Sequence, residues 1–373
     1  MIPKCYFVVK KYINISVIIN KLIPLSVLCI CFTACNQNTM KESGINNQVV
    51  TQFIDSTEMT NNFYDNSETF LLPVNELTIE GEIANSGKVD FPNLQKHSVI
   101  VKETMLDSTG NERFTGAFRY DGYSLFDILE KRMIRKVNAD EFSSVIDLFV
   151  VVENDKGDNV VFSWGEIFYP NNLHKIIIAT DVSRIVPSNT KELWQLPDKS
   201  KLVVATDLVT ERNISNPVRV TVKSFPKSFH VVKGMTPMYS PVMRLFNHGI
   251  LIGELSSIPE SIKDKTFNTV FYGRGKGIHS TSSFTGSLLK EILIKYYPLN
   301  RENIKTGIIC IKGEDGYRCA ISYSEIFNRN DQQEFLLIKG NKGEDGGLFR
   351  VFAACDFFSD RAIKSISEIH FGY

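Results

Sequence analysis

The chain has 373 residues, long enough to need more than one core of ordinary size. Hydrophobic residues make up 43% and charged residues 23%, a balance that excludes a disordered chain. Basic and acidic residues number 42 each, so there is no excess of basic charge to displace counterions, and the chain is read as binding no nucleic acid.

Lys4, Lys10, Lys11 and Lys21 precede an apolar run over 22–34. That run is too short to span a bilayer and has the make-up of the hydrophobic region of an export signal. It ends in Phe32-Thr33-Ala34-Cys35, small residues before a cysteine, followed by polar Asn36-Gln37-Asn38. The pattern resembles the lipobox of bacterial lipoproteins, with Phe32 where Leu, Val or Ile is usual. The resemblance implies removal of residues 1–34 as a signal peptide and acylation of the Cys35 thiol, for instance by palmitate. An uncleaved N-terminal anchor is the alternative. A lipid on Cys35 implies a protein held on a membrane of the cell envelope, facing away from the cytoplasm. Each buried acyl methylene contributes about 0.8 kcal/mol to that partition.

Residues 35–72 are rich in Asn, Thr, Ser, Gln and Glu without a sustained period, which predicts a flexible tether. From residue 77 onward, short β-branched runs alternate with turn residues, and the chain resembles itself. Residues 79–83 (IEGEI) return as 251–255 (LIGEL), and 121–129 (DGYSLFDIL) as 285–293 (TGSLLKEIL). The stretch 150–168 returns as 308–327, and LVVATD ending at Asp207 returns as VFAACD ending at Asp356. Four blocks in one order indicate a duplication.

Within the blocks, Leu125, Ile128, Leu129 and Met133 fall at helical spacing, as do Leu289, Ile292, Leu293 and Tyr296. Ser124 with Asp127 three residues on is suited to cap the first helix, and Gly122 and Gly286 allow a turn before each. Strand, turn and strand are predicted over 148–152, 155–158 and 160–162, and again around the turn Glu314-Asp315-Gly316. Short helices follow near Trp164 and Tyr323, then strands at 175–179 and 335–338. Each copy closes on β-rich runs, 202–205 with 218–222 and 349–353 with 366–371. The predicted domains are 73–223 and 249–373, with a Pro-containing linker over 224–248.

The order of blocks resembles the molybdopterin-binding domain of the sulfite oxidase family: a Leu-x-Ile-x-Gly strand at 77–83, a Gly-x-x-Leu helix start at 122–129, and β-rich runs at 201–205 and 349–353. The resemblance implies an α+β fold, two tandem mixed-sheet domains. It also implies molybdopterin as the cofactor of an active member, held beside a cysteine on the segment before the helix. Neither that segment in the first copy, from His97 to Arg113, nor its counterpart at 268–275 contains cysteine. A hard ligand such as Ser280 or Thr104 would not replace a thiolate at a soft metal centre. The chain is therefore read as a lipid-anchored binding or scaffold protein, without bound cofactor, whose partner is a small molecule or an envelope protein. A molybdopterin-dependent oxidoreductase with an atypical ligand set is the alternative.

Gly273-Arg274-Gly275-Lys276-Gly277 offers backbone N–H groups beside two cations but lacks the spacing of a phosphate-binding loop. Arg274, Lys276 and His279 are the candidate ligand-binding residues of the second copy, and Lys102, Arg113 and Arg119 those of the first. His97, His174, His230, His248, His279 and His370 show no pair at metal-site spacing, so no metal ligand is assigned. No catalytic residue is assigned either, since no Gly-x-Ser-x-Gly elbow is present. Glu166 and Glu325 recur between copies at helix starts, where a carboxylate suits the dipole. Cys310, Cys319 and Cys355 remain after signal and lipid are accounted for. Cys310 and Cys319 flank one turn and invite a hairpin disulfide, although buried free thiols are the commoner arrangement.

Overall fold

The computed structural model describes residues 67–187, 189–275 and 277–372. The predicted signal peptide and Cys35 lie outside them, and so does Lys276. The first half opens with β1 (Thr69–Leu71), β2 (Thr78–Gly81) and β3 (Gly87–Lys88). The long hairpin of β4 (Lys96–Leu106) and β5 (Glu112–Ser124) then runs into α1 (Leu125–Glu130). After these come β6 (Leu148–Asn154), β7 (Asn159–Ser163), α2 (Trp164–Phe168), β8 (Ile176–Arg184), β9 (Lys201–Val204) and β10 (Pro217–Ser224).

The second half repeats the order. It contains β11 (Met243–Asn247), β12 (Ile250–Leu255), the hairpin β13 (Asp264–Gly273) and β14 (Ile278–Leu288), α3 (Leu289–Leu293) and α4 (Arg301–Thr306). It ends with β15 (Ile308–Gly313), β16 (Arg318–Ser322), α5 (Tyr323–Phe327), β17 (Phe335–Lys339), β18 (Phe349–Ala353) and β19 (Ile366–Phe371). Pairing repeats as well: β2 lies parallel to β10 and antiparallel to β3, while β11 lies parallel to β19 and antiparallel to β12. The counterpart of β2 is thus β11, so matching 79–83 to 251–255 is one strand out of place. β11 lies inside the stretch read as a linker, and β1 inside the end of the stretch read as a tether, where it pairs with β8.

Four sheets result. In the first, β4, β5 and β8 are joined by β1 and β9 along the far edge of β8; the others run β3-β2-β10-β6-β7, β12-β11-β19-β15-β16 and β13-β14-β17-β18. Among the described residues strand makes up 43% and helix 12%, in a four-bladed propeller arrangement. This overturns the expected α+β, two-domain fold of the sulfite oxidase type. The physical reason lies in the helices. α1 stops at Glu130 and leaves Met133 69% exposed, and α3 stops at Leu293. Helices this short cannot cover a sheet, so the sheets cover one another.

The cores show how. Val150, Val152, Val160 and Phe162 pack with Ile176, Ile178, Leu202 and Val204, joining the first half's two sheets around α1. Ile309, Ile311, Cys319 and Ile321 do the same with Phe335, Leu337, Phe349 and Val351 in the second half. The alternate residues of the same strands, Phe149, Val151, Val161, Ile308, Cys310 and Ala320, meet between the halves, together with Phe225 and Phe229. β6, β7, β15 and β16 are therefore buried on both faces, which is why they read as unbroken apolar runs rather than alternating ones. Phe142, Ile146 and Tyr169 of the first half also enter the second half's core. The described residues accordingly belong to one compact unit.

Gly122 is required for a different reason from the turn expected of it. It lies within β5 with an ordinary φ, and a Cβ there would stand 2.1 Å from the Ile178 carbonyl oxygen. Gly286 in β14 meets the Leu337 carbonyl oxygen at 2.6 Å in the same way. Close approach of the neighbouring strand excludes a side chain at both.

Candidate functional site

The largest concentration of charge is internal. Arg212 is 1% exposed and donates to both oxygens of Asp207, at 2.6 and 2.8 Å, and to Glu166, at 2.5 and 3.1 Å. Arg361, fully buried, repeats this with Asp356, at 2.5 and 2.8 Å, and Glu325, at 2.6 Å. Each guanidinium also donates across the junction to a helix-capping serine of the other half, Arg212 to Ser322 and Arg361 to Ser163. Burial opposes the charge on both arginines, but the paired carboxylates outweigh it and hold both above the ordinary arginine value. Arg318, also fully buried, bridges the halves through Asp147 at 3.1 Å and Glu141 at 2.8 Å. Capping alone was expected of Glu166 and Glu325. Glu325 does form a capping box with Ser322, yet the main work of both is to neutralise a buried arginine. These networks tie the halves together; a cleft of about 360 Å³ remains between them, lined by Leu106, Leu208 and Val209 on one side and Leu299, Arg301 and Phe327 on the other.

The predicted ligand-binding residues do not converge. Arg274 at the β13–β14 tip pairs with Asp360 at 3.2 Å and lies over the Phe358 ring, while His279 stands exposed on the same hairpin. Lys102 is on the solvent face of β4, and Arg119 is bound to Asp121 at 3.0 Å. Arg113 differs. It lines an open groove of about 830 Å³ with Phe114, Trp194, Gln195, Lys201 and Asn213. On the groove's floor Glu103 accepts Lys201 at 2.6 and 2.8 Å and Asn213 at 3.0 Å, so those groups are satisfied internally. Phe114 and Trp194 meet edge to face with centroids 5.2 Å apart. Among the described residues, no acceptor pairs with the Arg113 guanidinium.

Cys310, Cys319 and Cys355 are free and buried, and burial pushes all three thiols well above the usual range. No hairpin disulfide forms, because Cys319 lies opposite Ile311 and Cys310 opposite Ala320, which sends the two sulfurs to opposite faces of the sheet. None of the three supplies a thiolate at neutral pH.

One constellation escaped the sequence reading, which assigned no metal ligand. His97 at the start of β4, Asp127 on α1 and His174 in the turn before β8 bring one ligand atom each within 4.8 Å of one another. His97 Nε2 lies 2.7 Å from Asp127 Oδ2, and His174 Nδ1 lies 3.5 Å from the same oxygen. The imidazoles stack at 3.7 Å between centroids, 13° from parallel. Burial and the neighbouring His97 hold the His174 imidazole below its ordinary value. The three residues are 30 and 47 positions apart, so no local spacing announces them. His97 reaches α1 only through the pairing of β4 with β5.

No family model and no curated protein matches the chain. No helix among the described residues is long and apolar enough to cross a membrane.

Proposed function

We propose that the chain is a binding protein of the cell envelope, anchored through a lipid on Cys35, that takes a small organic anion with an aromatic or apolar body in the groove beside Trp194. The observation that carries this reading is the guanidinium of Arg113, without an acceptor among the described residues, next to the Phe114–Trp194 wall, whereas the buried Arg212 and Arg361 are paired internally. An arginine fork presents paired donors to a carboxylate, and an aromatic wall supplies the apolar contact.

Trp194 reports on the groove, since the other tryptophan, Trp164, is buried in the first-half core. Titration of the full chain in detergent with aromatic carboxylates is expected to change Trp194 fluorescence saturably. Arg113→Ala is expected to weaken binding by about tenfold, the loss of one charge-assisted contact. A response unchanged by Arg113→Ala, or absent for every carboxylate while the protein is folded, would refute the groove. The anchor has its own test. Labelled palmitate should enter the wild type in bacterial cells and not Cys35→Ala, and equal labelling of both would remove the lipid from the account.

A further inference from the structure

From the geometry of His97, Asp127 and His174 we infer a binding site for one divalent transition-metal ion of the zinc type, with the fourth position open to solvent. Two imidazoles and one carboxylate are a ligand set that zinc accepts, at about 2.0–2.2 Å from each atom. Tetrahedral coordination at that radius needs ligand atoms roughly 3.3 Å apart. The observed separations of 2.7 and 3.5 Å, with all three atoms inside 4.8 Å, bracket that spacing. His174 is about one-third exposed, which leaves an entry path, while His97 and Asp127 are less than one-fifth exposed.

The supporting contacts fix the ligands. Ser124 accepts from the Asp127 backbone N–H at 3.0 Å and donates to Asp127 Oδ2 at 2.7 Å, so the carboxylate is oriented by its own helix cap. The Phe126 ring meets the His174 ring edge to face, at 5.6 Å. Second contacts of this kind hold metal ligands in place. Where His97 Nε2 and His174 Nδ1 bind the ion, each ring carries its proton on the other nitrogen, so a neutral imidazole changes tautomer and releases no net proton.

The duplication supplies the control that separates a site from a structural cluster. Register places Lys265 opposite Gly286 where His97 is opposite Gly122. Glu291 lies five residues beyond Gly286, as Asp127 does beyond Gly122, and Gln332–Gln333 occupies the turn before β17 where His174 precedes β8. By register His174 matches Gln333, each two residues before its strand, whereas the positive φ falls on His174 in the first half and one residue earlier, on Gln332, in the second. The second half keeps the same strand pairing with Lys265 and Gln333 at these positions, so the imidazole pair is particular to the first half.

The test uses the full chain in detergent, stripped with chelator and titrated with zinc sulfate. One equivalent is expected to bind and to raise the thermal midpoint, and cobalt(II) is expected to give the visible absorption of a four- or five-coordinate site. Magnesium is expected to do neither, since it requires six oxygen ligands. His97→Ala should lower zinc affinity at least tenfold, a loss of about 1.4 kcal/mol or more. His174→Gln, which installs the residue that the second half uses, should do the same while keeping the fold. Absence of stoichiometric zinc binding by the wild type would overturn the inference. So would equal affinity in the folded His174→Gln variant, which would place the ion elsewhere.

Discussion

Replacing Arg361 by methionine is expected to remove about 3–5 kcal/mol of stability, a large part of the 5–15 kcal/mol available to a folded domain. The methionine fills much of the volume, so the loss is electrostatic. Glu325 is buried and the Asp356 side chain is only 3% exposed, and each would lose the guanidinium it pairs with. The contacts of the guanidinium with the Tyr169 and Phe335 rings, at 5.2 and 5.3 Å, would go as well. Adding Glu325→Gln and Asp356→Asn should recover part of the loss, because no unpaired carboxylate then stays buried. Urea unfolding followed by circular dichroism measures all the variants. A midpoint for Arg361→Met close to that of the wild type would mean that water reaches the carboxylates and that the network is not the interior clamp described.

The recurrence of the network shows how far the chain could be read without coordinates. Asp207 and Asp356 stand out as the ends of matching blocks, and Glu166 and Glu325 recur in another. Their partners were equally visible: Arg212 and Arg361 each follow their aspartate by five residues. The matching blocks end at the aspartates, and a helix start by itself accounts for the glutamates, so spacing alone leaves the charges unpaired. The strands were the most legible part. β18 and β19 occupy the predicted 349–353 and 366–371, and Ser124 and Asp127 form the expected cap. What failed was the step from elements to architecture. Apolar spacing over 125–133 suggested a helix long enough to roof a sheet, but only its first six residues are helical. Sequence period does not tell a strand buried by its own half from one buried by the other, so β6 and β15 gave no sign that their second faces meet. The groove at Arg113 was half legible, since the arginine was singled out while Trp194, some 80 residues on, was not. The His97–Asp127–His174 cluster was illegible, because strand pairing alone assembles it.

The meeting of those second faces leads to the other large effect. Phe149→Ala should cost about 3–5 kcal/mol, the range for truncating a fully buried phenylalanine whose cavity cannot collapse. Phe149 is fully buried on β6, in the cluster that includes Ile308 and Cys310 of β15 and Ala320 of β16. The strand faces above and below it are occupied by separate cores, so neither half can shift to fill the void. The consequence extends beyond the first half. If the junction is one continuous core, unfolding stays a single transition in the variant, and hydrogen exchange speeds up in β15 and β16 as much as in β6 and β7. Independent halves would behave otherwise. They would give two transitions, with β15 and β16 as protected as in the wild type, and that result would sink the single-body architecture on which the buried arginine bridges also depend.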